Sequence, residues 1–392
     1  MARNSEFYRG RRKKRNFAII PFVTLLLILA VGIVLFYSMQ KYAVISDTGV
    51  RIDLPILTGN SSTGTSSLTN SNRSESDAVE YEVVNASITF DDADYSSVEA
   101  TAGKGVSPIK AIYIPYEDLS EENVMAYANR LSTGNALVMD LKEKNGYLAW
   151  YSDTDIATKY GLNMAAPDAK TSLMKVVSEL KERDIYLAAQ ICCLQDELLG
   201  GHSTQVCIKN QLDMYYYDEY GYWLDPYSSI VREYTIELVR ELWDIGFDEV
   251  ILSCVKHPIV EMVQNEDGTM SRPISYTMDM STEPSPVGAV CGFAVNVAET
   301  LADYKEDGQY LSIYIDSSTA LVKADTENGQ DGPLFMKLYD RIYYNTDKYA
   351  YTYNVQDMQP SVTIGSVYNR LVPVVQNYLP DNSSWVLVDV EE

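Results

Sequence analysis

A chain of 392 residues, 46% hydrophobic and 22% charged, carries enough apolar material for a sizeable core, which excludes a wholly disordered or collagen-like polymer. The formal charge of −24 is unevenly placed: through Arg15, seven Lys or Arg oppose one acid, so that tail is +6 and the remainder about −30. So acidic a body repels phosphate polymers, which excludes nucleic acid as a partner and makes anionic wall polymers poor ones.

Residues 1–16 form a basic tail in which Arg9, Arg11, Arg12, Lys13, Lys14 and Arg15 abut the uncharged run FAIIPFVTLLLILAVGIVLFY, residues 17–37. About 20 apolar residues are what a bilayer-spanning helix requires. A cleavable signal has a shorter apolar core and a small-residue cleavage site, and here YSMQKYAV follows with neither. The segment 17–38 is therefore expected to be a transmembrane helix, with the lipid bilayer as partner through residues 17–37. The positive-inside rule puts the N-terminus in the cytoplasm and the rest outside. The expected location is the cell membrane, single-pass, with an extracytoplasmic C-terminal domain.

Residues 39–106 read as a spacer. The stretch NSSTGTSSLTNSNRSE (60–75) has almost nothing to bury, and the acidic segment after it holds one short strand-like run, VEYEVV (79–84). From Ser107 the texture is globular. Strands are predicted at 109–114, 135–142, 185–193, 248–254 and 310–316, with weaker ones at 338–344, 370–375 and 384–390. Amphipathic helices are predicted at 120–131, 173–184, 228–246 and 289–304. Ser120 caps the first of these, with Glu121 and Glu122 in its first turn. Apolar strands alternating with helices indicate parallel βαβ units. Eight of them in about 285 residues match a (β/α)8 TIM barrel, domain 107–392, although an open doubly wound sheet fits the pattern equally. No G-x-G-x-x-G follows the first strand, so no dinucleotide site, and no cofactor of any kind, is expected.

In such a barrel the chemistry sits where strands end. Those positions hold Asp140 with Lys142 and Glu143, then Gln190, Gln195 and Asp196, then Asp225, then Ser253, Lys256 and His257, and finally Asp316. A mouth rich in carboxylates suits glycoside hydrolysis, in which one acid protonates and another attacks or activates water. Plain helix caps and solvated loop acids explain any one of them equally well, Asp225 before Pro226 above all. The run MYYYDEYGYW (214–223) adds five tyrosines and Trp223, a stacking surface for sugar rings or a packed lid. Five cysteines, an odd count, do not suggest a disulfide framework, and most are expected as buried apolar side chains. A cluster of Cys193, Cys254 and His257 is weighed as a metal site, but the ligand spacing of a metal motif is missing and none is expected.

The strings VMDLKEKNGYL (138–148), YGYWLDPYSSIVREY (220–234), GFDEVILSCVKHP (246–258), NGQ (328–330) and LVPVVQNYLP (371–380) occur in an order that resembles the glycosyl hydrolase family of unknown function related to the amylase-like barrels. The resemblance spans about 107–390 and implies a (β/α)8 barrel. The family's pattern is matched at Asp140, Lys142, Asp196, Trp223, Asp225 and Asp316, with Glu143 where an acid is expected. Together with the strand-end and Tyr-rich-loop reading, this makes Asp140, Glu143, Asp225 and Asp316 the candidate catalytic residues and Lys142, Asp196, Tyr222, Trp223, Lys256 and His257 the candidate substrate contacts. The resemblance breaks at the fourth strand, where the family's Phe-Asp-Tyr-Val-Arg-Phe-Pro is here Leu252 to Pro258, and the expected Asp is Ser253. The family's cationic positions have become Gln190, Gln195 and Val372. An oxocarbenium-like transition state needs an anion on one face, which Ser253 does not supply. Three functions remain open: a glycan-binding or scaffold barrel with a degenerate site, with polysaccharide or peptidoglycan as partner; an active glycosidase using another carboxylate pair; and a protein-interaction module of an envelope complex.

Overall fold

Each apolar run predicted as a strand beyond residue 107 forms one stave of a closed barrel. In the computed structural model the staves are β1 (Lys110–Ile114), β2 (Ala136–Lys142), β3 (Tyr186–Cys192), β4 (Glu249–Ser253), β5 (Tyr310–Ile315), β6 (Ile342–Asn345), β7 (Leu371–Val375) and β8 (Trp385–Val388). Every neighbouring pair is parallel, and β8 returns to β1 in the register Trp385↔Lys110 to Val388↔Tyr113. That pairing removes both sheet edges and excludes the open doubly wound alternative. The described residues are 43–46, 49–52 and 95–388 without 132–134, 211, 213, 220, 266–267, 277–284, 347 and 377–383.

The chain divides into two units, 1–84 and 85–392. In the first, Ala43–Ser46 and Gly49–Ile52 pair as an antiparallel hairpin. The transmembrane segment expected at 17–37 and the strand expected at 79–84 lie outside the described residues. Among the described residues no helix is long and apolar enough to cross a membrane. In the second unit, residues 95–103, read from sequence as spacer, dock on the barrel. The Tyr95 hydroxyl donates to the Gly288 carbonyl, and the Thr101 N–H donates to the Lys337 carbonyl.

Local chemistry explains the boundaries. Ser120 accepts a hydrogen bond from the Asn123 N–H and caps α1 (Glu121–Asn129). Helix α2 covers Ala169–Glu182, and α3 (Ser229–Ile245) ends at Gly246, which takes the left-handed conformation (φ +116°) that a side chain resists. Helix α4 (Pro286–Ala302) starts with Pro286 in its first turn. Strand β6 begins four residues later than expected. The apolar run before it is the helix α5 (Gly332–Leu338), and Tyr339 to Arg341 carry the chain into the strand. Short apolar runs do not by themselves distinguish a buried helix from a buried strand.

The barrel interior is filled in layers by alternate residues. Ala111, Val138, Ala188, Ile251, Tyr343, Val372 and Val386 form an apolar middle. Below it, toward the strand N-termini, Glu249 is wholly buried. Its carboxylate pairs with the Arg341 guanidinium (2.6 Å) and accepts hydrogen bonds from Tyr186 (2.8 Å), Tyr343 (2.9 Å) and Ser312. Charge leaves water only when paired and hydrogen-bonded in this way. We predict that Arg341→Met, which strands the buried carboxylate, costs about 3–5 kcal/mol, and that adding Glu249→Gln recovers part of it. Urea unfolding checks this, and a double variant no more stable than Arg341→Met would sink the assignment.

Candidate active site at the barrel mouth

Three cavities of about 920, 280 and 270 Å³ open at the C-terminal ends of the strands. The 920 and 280 Å³ cavities share Lys144 and Asp316, and the 280 and 270 Å³ cavities share Gln190 and Tyr314, so the three form one track.

Asp140 ends the inward-facing series Ala136, Val138, Asp140 of β2. Its Oδ2 accepts a hydrogen bond from Tyr113 (2.8 Å), and its Oδ1 is buried without a partner. Burial pushes the Asp140 carboxyl up to about 7; the Tyr113 hydrogen bond opposes this, and Glu143 and Glu117 add to it. A carboxyl poised near neutrality at a barrel mouth is equipped to deliver a proton. Glu143 lines the same 280 Å³ cavity and accepts a hydrogen bond from the Asn145 amide (3.0 Å).

Asp316 follows β5 and lines both the 280 and 920 Å³ cavities. One oxygen meets the Lys256 ammonium at 2.8 Å. Buried Gln330 accepts from the Asp316 backbone N–H (2.9 Å), while its amide nitrogen donates to the Val255 and Tyr314 carbonyls. Gln330 therefore ties the ends of β4 and β5 to the residue between them in function. Asp140, Glu143 and Asp316 thus share one cavity.

The other expected residues separate. Asp225 is fully buried, lines none of the three cavities, and accepts from the Tyr227 N–H (2.8 Å), the work of a turn. Asp196 is buried beneath the mouth, where it caps the helix Glu197–His202 through the Leu199 N–H and pairs with Lys142 at 2.8 Å. Gly146, with φ +85°, lies so close to Asp196 that any side chain there would collide with the carboxylate. Lys142 also donates to the Cys192 carbonyl (2.6 Å), so its ammonium is anchored although it lines the 280 Å³ cavity. Trp223, Lys256 and His257 line the 920 Å³ cavity. Tyr222 does not; it packs over Gly200 and meets Tyr217 edge-on at 5.0 Å. Trp223 is buried with its indole N–H on Asp218 (2.7 Å), whereas Met214, Tyr215 and Tyr217 of the same loop are exposed. Tyr220 of the same run lies outside the described residues.

His257 is buried, with Nδ1 2.8 Å from the Pro258 carbonyl, and desolvation lowers its pKa to about 4. At neutral pH the ring is uncharged, Nδ1–H donates to that carbonyl, and Nε2 is the acceptor nitrogen. Ser253 donates to the Ile191 carbonyl (3.1 Å) and has no basic partner among the described residues, so nothing activates it as a nucleophile.

Two features escaped the sequence. Tyr113 was visible only as a strand residue, though its parity with Ala111 faces it inward. The cysteines also depart from expectation: Cys192 and Cys254, expected as buried apolar side chains, are joined in a disulfide. In β3 and β4, Cys192 pairs in register with Ser253, so Cys254 falls beside it, a proximity that the strand assignment alone would have exposed. Cys254 is taken by that bond, burial pushes the Cys193 thiol up to about 12, and no group of three His, Cys, Asp or Glu among the described residues could hold a metal.

The family model described as "Putative glycosyl hydrolase domain" matches residues 111–363, from β1 through β6. Among curated proteins none matches the chain. A hypothetical protein from Ruminiclostridium thermocellum is similar at 21% identity, covering 52% of this chain and 96% of that one, with a TM-score of 0.41. The alpha-galactosidase from Lactobacillus brevis is similar at 12% identity over 72% of this chain (TM-score 0.44), and this chain spans only 38% of its length. The alpha-glucosyl transfer enzyme XgtA is similar at 9% identity, covering 72% of this chain and 68% of that one, with a TM-score of 0.46. At TM-scores below 0.5 these likenesses carry no argument about this site.

Two outcomes follow from the geometry. Asp140, whose carboxyl is raised in the folded state, binds its proton more tightly there than in the unfolded chain, where an Asp titrates near about 3.9. Its favourable contribution is full below pH 4 and is lost as pH rises to about 7. Asp140→Asn should therefore gain stability relative to wild type between pH 4 and 7 and keep that gain above 7. Melting curves across pH check this, and a constant difference at every pH refutes it. Peptide mapping without reductant should recover Cys192 linked to Cys254, with Cys193, Cys207 and Cys291 blocked by alkylation only after unfolding. Alkylation of Cys192 or Cys254 in unfolded, unreduced protein would disprove the link.

Proposed function

This chain belongs to the glycosyl hydrolase domain family matched over residues 111–363, and on that premise we propose that it is a membrane-anchored, extracytoplasmic barrel that binds glycan at its mouth and has lost the family's chemistry at the fourth strand. The observation that carries the reading is Ser253. Its hydroxyl donates to the Ile191 carbonyl where an anion is required, and the adjacent Cys254 is held in a disulfide to Cys192. The anchor rests on the uncharged run 17–37 behind a basic flank. A glycan bound at an anchored barrel makes a scaffold of the cell envelope, with polysaccharide or peptidoglycan as the partner.

One observation favours a second reading. Asp140 carries its carboxyl near neutrality beside a cavity that also holds Asp316, the kind of separation between two carboxyl environments that divides acid from base. In this reading Asp140 protonates the glycosidic oxygen and Asp316 faces the sugar from the other side.

Reducing-end release from peptidoglycan, bacterial exopolysaccharides and plant polymers separates the two. We expect no turnover from wild type or Asp140→Asn, and measurable release from Ser253→Asp. Turnover by wild type that disappears in Asp140→Asn would overturn the degenerate-site reading and establish the second.

A further inference from the structure

The 270 Å³ cavity lies over the barrel axis, beside the cavity of Asp140. Its floor is Tyr343 and Val138, each about 1% exposed, the top of the apolar middle layer. One wall is apolar, formed by Val374, Val386 and Val388 from β7 and β8. The polar lining is Tyr113, which neighbours Val388 across β8 and β1, with Tyr314 and the amide of Gln190, and Asn345 and Gln376 complete the rim. No charged side chain lines it.

That lining is two-faced in the way a pyranose is. Carboxamides offer a donor and an acceptor from one group, which matches the paired demands of sugar hydroxyls, while the Tyr113 hydroxyl, whose proton is on Asp140, remains able to accept. The valine wall suits the C–H face of the ring. At about 270 Å³ the space falls just under the usual range of ligand pockets, about 300–1,000 Å³, so it holds one ring and not a chain. Gln190 and Tyr314 continue into the cavity of Asp140, and Lys144 and Asp316 lead from there into the 920 Å³ cavity.

Resting on the glycan-binding reading above, we infer that the axial cavity is a subsite for a single uncharged sugar ring, from which the rest of the glycan runs outward past Asp140 to Asp316. A uronate or sulfated ring is rejected there. Its anion would be desolvated with no cation to pair, beside a carboxyl that Tyr113 already engages. Asn345 and Val374 become the determinants of specificity: the amide recognises hydroxyls, and the small side chain leaves the room.

The test is equilibrium binding of the full chain, held in detergent, to linear malto-, cello-, manno-, galacto- and chito-oligosaccharides, with oligogalacturonates and oligoguluronates as charged probes. Neutral oligosaccharides should bind and the uronates should not compete. Asn345→Ala should weaken binding about tenfold, the loss of one good hydrogen bond. Val374→Trp should abolish binding by filling the space. Asn345 is exposed, so its variant is read even if Val374→Trp fails to fold. Neutral binding untouched by Asn345→Ala, or uronates binding as tightly, would overturn the subsite while leaving the glycan-binding reading standing. Silence from every probe would overturn both.

Discussion

The buried carboxylate of Glu249 is the constraint around which the barrel closes. It stands at the start of β4 and draws hydroxyls from β3, β5 and β6, along with the Arg341 guanidinium that precedes β6. Arg341 in turn donates to the Ser107 carbonyl, just ahead of β1. A desolvated carboxylate accepts only a narrow set of geometries, so four neighbouring strands are fixed in register at one end. Burial alone would lower the pKa of Arg341, but Glu249, Tyr186 and Tyr343 together more than offset it and hold the guanidinium charged beyond its ordinary range. The pair is worth less as net stability than as specification, since an apolar replacement of equal shape often serves stability as well.

Above this polar floor the mouth is irregular. The β2–β3 register slips between Asp140 and Lys142, which leaves Asp140 at the mouth and sends Lys142 toward Asp196 and the Cys192 carbonyl. The two halves of a D-x-K pattern therefore do different work. Asp140 keeps an unpartnered buried oxygen, whereas Lys142 is fully spent on structure. A buried acceptor without a hydrogen bond needs an explanation, and at a cavity wall a bound ligand is one, although buried polar atoms far from the mouth, such as the Trp243 indole nitrogen, share the condition.

The fold was legible because burial on both faces writes parallel strands as apolar runs, and seven of the eight were placed within two residues of their starts. The sixth was displaced because LFMKL and IYY form one apolar stretch across a helix, a turn and a strand. The site was legible only in part. Asp140, Glu143 and Asp316 stand at strand ends, and strand ends are readable. Their convergence in one cavity depends on which strands become neighbours. The state of Asp140 depends on Tyr113, 27 residues away, and on burial that no spacing records. Asp225 shows the converse. It matched the motif and a strand-end position, yet its carboxylate is consumed by the turn that follows it.

The Cys192–Cys254 bond bears on where such a barrel works. It joins the ends of adjacent strands 62 residues apart in sequence, beside the serine that replaces the expected carboxylate. Disulfides of this kind persist outside the reducing cytosol. The anchor proposed above rests separately on the uncharged run 17–37 behind its basic flank. The bond also bears on Ser253. Cys254 takes a left-handed conformation (φ +54°) that few side chains adopt, and the link to β3 holds it there. A carboxylate restored at position 253 would meet a strand end already pinned by the disulfide and a hydroxyl acceptor already supplied by Ile191. Recovery of hydrolysis by Ser253→Asp therefore tests whether this geometry still tolerates the anion, and not merely whether the anion is missing.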